Sequence, residues 1–250
     1  MSNEGPVRAA VLIIGDEILS GRTRDTNLGD IARYLAGFGV EVAEARTVGD
    51  ERAEIIAALD ALRSRYDYVI TTGGIGPTHD DITADAVAEA FGAGLEEDAE
   101  VVAVMAARFG GELNAARRRM ARLPNGGSWV RNPVQGPPGF QIGNVFVLAG
   151  VPQVMRGMLQ DVGPRLRAGQ VVVSRTIRVV GTGEGTIAAP LETVAKAHPN
   201  LSLGSYPFFG PDGYGASLVI RGRDEEEVDR AAGEVFAAMG TIGARAEAGE

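Results

Sequence analysis

Ten consecutive residues, Thr72-Gly73-Gly74-Ile75-Gly76-Pro77-Thr78-His79-Asp80-Asp81, bring three glycines together with two adjacent carboxylates. Gly73, Gly74 and Gly76 let a backbone pass close to a ligand, and unpaired amides at the start of a following helix receive oxyanions. Thr72, Pro77 and Thr78 complete that surface, and Asp80 and Asp81 stand beside it. Carboxylates repel a phosphate unless a divalent cation bridges them, so the pair points to Mg²⁺ or a similar hard ion. A plainer alternative is that one aspartate caps a helix beginning near Ile82 and the glycines only form a tight turn. Spacing alone leaves both open.

Two further segments have the same setting, just after a buried apolar run. Gly15-Asp16-Glu17 is followed by Asp25-Thr26-Asn27, where Asp16, Glu17 and Asp25 could ligate a metal and Asn27 a ligand hydroxyl. Helix capping by Asp25 or Asn27 is the simpler role. The other segment is Gly150-Val151-Pro152. His79 could exchange protons near neutral pH or simply face solvent, and His198, before Pro199, is assigned no role. Arg117-Arg118-Arg119 cannot all face one way on a helix, so one or two at most could reach a phosphate. Gly181-Thr182-Gly183-Glu184-Gly185 is a lone glycine cluster and weak evidence for an anion site.

The elements that would position these residues alternate. Ala9 to Ile14 is a continuous apolar run, as in a strand buried on both faces. Leu28, Ile31, Ala32 and Leu35 recur at helical spacing. Val40 and Val42 open a short strand, and Asp50 looks like the cap of a helix carrying Ile55, Ile56, Leu59 and Leu62. Tyr68 to Thr72 is a strand running into the glycine loop. Helices are expected at Ala99 to Phe109 and Asn114 to Arg122, then a loop from Pro124 to Gly139. A strand at Asn144 to Leu148 precedes a helix carrying Val154, Met155, Met158, Leu159 and Val162. This order predicts an α/β fold: a mostly parallel sheet with helices on both faces. Residues 1–168 form that domain. Residues 169–250 read as a small α+β module: a strand at Val171 to Val180, a helix at Glu184 to Ala197, strands near Leu201 and Ala216 to Ile220, and a last helix with Val228, Ala232, Val235, Phe236 and Met239. In such a sheet ligands bind outside the carboxyl ends of the strands, where all three candidate segments fall.

Composition narrows the class. The 250 residues are 45% hydrophobic and 23% charged, as in a globular protein. There is no cysteine, which excludes thiolate chemistry and fits a cytoplasmic location. The N-terminus lacks the pattern of a secretory signal, and no apolar stretch approaches the ~20 residues of a membrane span. A net charge of −9 argues against general attraction to nucleic acid or anionic lipid.

The three segments resemble the molybdopterin-binding (MoaB/Mog-like) domain, and more closely the N-terminal region of CinA-type proteins. Asn132-Pro133-Val134, Pro138-Gly139-Phe140 and Met155 match as well. Gly181 to Glu184 and Gly204-Ser205-Tyr206-Pro207 are similar to the small module that follows the CinA-type domain and its relative in eukaryotic FAD synthase. No segment here matches the deamidase domain of full-length CinA, so the resemblance is not extended to amidase activity. It implies metal-dependent hydrolysis of a nucleotide pyrophosphate such as ADP-ribose or FAD, with Mg²⁺, Mn²⁺ or Co²⁺. Asp80 and Asp81 would be catalytic and metal-binding, with Asp16, Glu17 and Asp25 as further metal candidates. Gly15, Asn27, Thr72, Gly73, Gly74, Gly76, Pro77, Thr78, Gly150 and Pro152 would hold the ligand. Two alternatives stay open: molybdopterin binding in molybdenum cofactor biosynthesis, and a non-catalytic nucleotide- or pterin-binding module. A homo-oligomer is expected.

Overall fold

The computed structural model describes residues 6–134, 136–210 and 213–249, and the chain divides into two compact units, Met1–Gln170 and Val171–Glu250. In the first unit β1 (Val7–Ile14), α1 (Asp16–Leu19), α2 (Asn27–Ala36), β2 (Val40–Val48), α3 (Arg52–Arg63), β3 (Tyr68–Thr72) and α4 (Thr83–Ala90) follow in order. Then come β4 (Leu95–Glu97), α5 (Ala99–Phe109), α6 (Ala115–Arg119), β5 (Arg122–Pro124), β6 (Ser128–Val130), β7 (Gly139–Ile142), β8 (Val145–Leu148) and α7 (Pro152–Val162). A single 3₁₀ turn continues α7.

Six strands form one sheet in the order β2-β1-β3-β8-β7-β6. β2, β1, β3 and β8 are parallel, β7 runs antiparallel to β8, and β6 antiparallel to β7. Along β1 the run Ala9 to Leu12 is fully buried, because side chains of both faces enter a core. One core lies under α3 and α5, with Leu12, Leu59, Val69 and Met105, and the other under α2 and α7, with Val11, Leu35, Phe146 and Met158. From β1 the chain steps to β2 on one side, and from β3 it steps to β8 on the other. The seam between β1 and β3 is therefore the switch point, where the connections diverge and leave a crevice at the strand ends.

Several local expectations are corrected. β2 is nine residues long rather than short. α6 stops at Arg119, and Arg122 to Pro124 pair with β4 instead of extending the helix. The segment from Pro124 to Gly139 is not all loop, since it contains β6. Asp50 does not cap α3, whose first flanking residue is Glu51.

The second unit is β9 (Val173–Val180), α8 (Glu184–Ala197), β10 (Ser202–Gly210), β11 (Gly213–Gly222), α9 (Glu225–Thr241) and β12 (Arg245–Ala248), with an antiparallel sheet ordered β10-β11-β9-β12. Its core joins Ile177, Val179, Leu218 and Ile220 to Ile187, Val194, Val228, Val235 and Met239. Phe236, expected on the inner face of the last helix, is 49% exposed. His198 closes α8 against α9: it is buried, its Nε2 lies 3.1 Å from Glu234 Oε2, and its Nδ1 lies 3.6 Å from Glu227 Oε1. Truncating it strands polar groups and opens a void, so His198→Ala is expected to cost about 2 kcal/mol in urea unfolding. A loss below about 0.5 kcal/mol, the usual range for an uninvolved surface site, would show that the contacts do not matter.

Candidate active site

The glycine loop is built where three strands end. Gly73 N–H donates to Leu148 O of β8 at 3.2 Å. On its other side a Cβ at Gly73 would stand 2.0 Å from Ile14 O of β1, and one at Gly150 would stand 3.2 Å from Gly73 Cα. With φ +104 at Gly73, only glycine lets the chain turn through this gap between neighbouring backbones. Thr83, fully buried at the start of α4, donates its hydroxyl to Gly73 O at 3.0 Å and its N–H to Gly74 O at 3.0 Å. Neither α4 nor α7 has a side-chain cap. Their amino ends therefore carry the partial positive charge of the helix dipole with no side chain satisfying it. Gly15, Thr72 and Gly73 are buried, whereas Pro77, Thr78 and Asp80 are exposed.

The two adjacent aspartates do different things. Asp81 Oδ2 accepts from Thr78 N–H at 2.8 Å and from the Thr78 hydroxyl, and it lies against Gly76. Asp81 thus holds the loop shut on itself, and neither aspartate caps α4. Asp80 is 62% exposed. The Thr78 hydroxyl beside it, its own amide and the neighbouring His79 hold its carboxyl below the usual carboxylate range. His79 is almost wholly exposed and its Nδ1 is 3.9 Å from Asp80 Oδ1.

A second acid lies opposite. Val48 pairs with Ile14, and Gly15 N–H donates to Val48 O, so the end of β2 sits beside the start of α1. Asp50 Oδ2 accepts from Asp16 N–H at 2.9 Å, and Asp16 Oδ1 accepts from Asp50 N–H at 3.3 Å. Burial pushes the Asp50 carboxyl up, and the charges of Asp16, Glu17 and Asp80 push it further, against the Asp16 N–H bond. Asp50 is the site residue that sequence reading missed, because an acid just before a helix reads as a cap. Asp25 is spent on capping: its carboxylate accepts from Asn27 N–H and Leu28 N–H at 3.2 and 3.1 Å.

Asn27 is 95% buried and donates Nδ2–H to Gly150 O at 2.8 Å, tying α2 to the end of β8. Its Oδ1 is buried with no partner among the described residues, an acceptor for a ligand's N–H or O–H. Pro152 opens α7. Arg22 and Arg24, exposed in the segment that Thr23 N–H ties to Glu17 O, are further cations on this side of the unit. Of the basic run, Arg117 stacks on Phe109, Arg118 pairs with Glu97, and Arg119 alone turns to the loop, reaching Asp81 O at 3.4 Å.

Among the described residues no three His, Cys, Asp or Glu converge to hold a metal ion. The set Asp16, Glu17, Asp50 and Asp80 is all oxygen, which suits Mg²⁺ or Mn²⁺, ions commonly held by one or two carboxylates with the remaining positions filled by ligand phosphate and water. The enclosed void beside Ile75, Gly76 and Asp81 measures about 20 Å³, room for a water and no more. A nucleotide-sized ligand would therefore lie on the open strand-end face. No described helix is long and apolar enough to cross a membrane.

Residues 10–168 match the family model described as "Probable molybdopterin binding domain", and residues 171–244 match "FAD synthase, middle domain". A CinA-like protein of Gemmatimonas aurantiaca is 38% identical over 234 residues, covering 86% of this chain and 54% of that protein. A CinA-like protein of Geobacter sp. is 37% identical over 248 residues, covering 94% and 58%. The chain thus spans little more than half the length of these relatives. The crystal structure of the protein CinA from Thermoplasma acidophilum aligns with a TM-score of 0.61 at 32% identity, covering 64% of this chain and 99% of that one. With the α/β sheet, the glycine loop and both family models in agreement, the chain belongs to the molybdopterin-binding domain family, in its CinA-like group.

Proposed function

We propose that the strand-end face hydrolyses the pyrophosphate bond of a nucleotide such as ADP-ribose or FAD, with a divalent cation. The observation that carries this reading is the juxtaposition of two opposites. Amides of the Gly74 to Gly76 stretch and the start of α4, which has no side-chain cap, favour an oxyanion. The carboxylates of Asp50, Asp16, Glu17 and Asp80 share one electrostatic neighbourhood with a raised Asp50. Perturbed carboxylates in a cleft mark catalytic and metal sites, and acids beside a phosphate seat only become favourable with a cation between them. Asp50 and Asp80 would hold the ion, with ligand phosphate and water filling its remaining positions. It supplies charge neutralisation at the phosphoryl oxygens and an acidified water. Asp81 keeps the loop in shape through Thr78, and Asn27 Oδ1 orients the ligand by accepting one of its hydroxyls.

A second reading, binding of a pterin, is supported by the family model over residues 10–168. The experiment is incubation of the purified chain with ADP-ribose or FAD and Mg²⁺, Mn²⁺ or Co²⁺, with chromatography of the products. Release of AMP that stops on adding EDTA is expected. Intact substrates with every metal, together with a pterin retained in native mass spectrometry, would replace hydrolysis by the second reading.

A further inference from the structure

We infer a second small-molecule site in the first unit, for an oxyanion that carries a flat aromatic ring, at the outer edge of the six-stranded sheet. A cavity of about 320 Å³ opens there between Arg108 at the end of α5, Trp129 and Arg131 at β6, Asn132, and Gly157 and Asp161 of α7. That volume falls within the range of sites that take drug-sized and cofactor-sized ligands. β6 lies three strands from β3, roughly 14 Å at the usual interstrand spacing. The site is therefore separate from the glycine loop and does not depend on the proposed hydrolysis.

The strand edge itself is closed. Among the described residues β6 pairs only with β7, and two groups on its outer side are taken: Arg165 Nη2 donates to Trp129 O at 2.8 Å, and the N–H of Arg131, just past β6, donates to Asp161 Oδ2 at 3.0 Å. Arg165 and Asp161 also pair with each other. Side chains that occupy the edge in this way oppose the addition of another strand, and the volume of the cavity suits a small molecule.

The charge left over is cationic, beside the uncharged amide of Gln160. Asp161 is committed to Arg165 and the Arg131 amide. The Asn132 side chain is spent on Pro137 O at 2.9 Å and Val134 N–H at 2.8 Å. Arg108 uses one nitrogen on Val134 O at 3.1 Å, and the Arg131 guanidinium lies 5.9 Å from the Trp129 ring centre. Among the described residues neither guanidinium has a carboxylate partner. Two unneutralised guanidinium groups lining one cavity, in a chain of net charge −9, select an anion, and their forked donors suit phosphate or carboxylate. The half-buried indole of Trp129 offers a wall on which a planar ring stacks.

Trp129 is the single tryptophan of the chain, so its emission reports this cavity. The test is titration of that emission with AMP, with adenosine and inorganic phosphate as the two halves of the ligand. A saturable change with AMP is expected, with each half at least tenfold weaker. Arg131→Gln and Arg108→Gln should each weaken AMP at least tenfold with unchanged circular dichroism, Arg131→Lys should lose less, and Asp80→Asn should leave the titration as it was. No saturable change, or equal affinity in Arg131→Gln, overturns the site. Loss of the response in Asp80→Asn also overturns it, because the tryptophan would then be sensing the loop.

Discussion

Gly73→Ala is expected to destabilise the first unit by about 2–6 kcal/mol and to abolish ligand binding at the strand ends. Two costs combine. At φ +104 an alanine sits in a sparsely populated region of backbone space, a strain of about 1–3 kcal/mol. Its Cβ would also stand 2.0 Å from Ile14 O. That neighbour is backbone in the middle of the sheet, so relief requires β1 and β3 to part, at a further cost of about 1–3 kcal/mol. The control is Gly92→Ala. Gly92 also has a positive φ, of 61, but nothing lies within 4 Å of its Cβ position, so only the left-handed penalty of about 1–2 kcal/mol applies. Urea unfolding of both variants separates clash from backbone strain. Equal losses in the two would show that the close approach of β1 and β3 is not what requires glycine.

The fold was legible where one element's residues carry their own signal. β3, α5 and α8 begin and end where glycine, proline and apolar period place them, and all five apolar residues read on α7 are buried. β5, β6 and β7 escaped because strands of three or four residues show no period. Pairing decides them: β5 with a strand 25 residues away, as Arg122 opposite Glu97 shows, and β6 and β7 with the strands that follow them. The site divides along the same line. The glycine loop was readable because Gly73, Gly74 and Gly76 stand within four residues of one another. The acid set was not. Asp80 and Asp81 are adjacent in sequence, yet the turn that Asp81 makes with Thr78 sends them to different tasks. Asp50 joins Asp16 across 34 positions only through the parallel pairing of β1 with β2.

Asp50→Asn is expected to lower metal-dependent turnover of ADP-ribose roughly 100-fold while making the metal-free protein more stable near neutral pH. Both effects follow from the raised Asp50 carboxyl. A carboxylic acid whose folded pKa lies above its unfolded value binds protons more readily in the folded state, so its ionisation destabilises the fold. The penalty is complete above the folded pKa and absent below the unfolded one, and stability falls as pH rises between them. Asparagine removes that charge and keeps an oxygen to accept the Asp16 N–H, so it stabilises at pH 7 and loses its advantage at acid pH. Cation binding needs the ionised carboxylate. Wild-type affinity for Mn²⁺ should therefore fall on the acid side at a higher pH than an ordinary carboxylate would impose. In Asp50→Asn that limb should move lower, because Asp80 is held below the usual range by Thr78. Calorimetric titration of Mn²⁺ across pH and thermal melts with EDTA read the two effects separately. A variant that is less stable at pH 7, or whose acid limb stays in place, would remove Asp50 from the cation site and return it to a purely structural tie between α1 and β2.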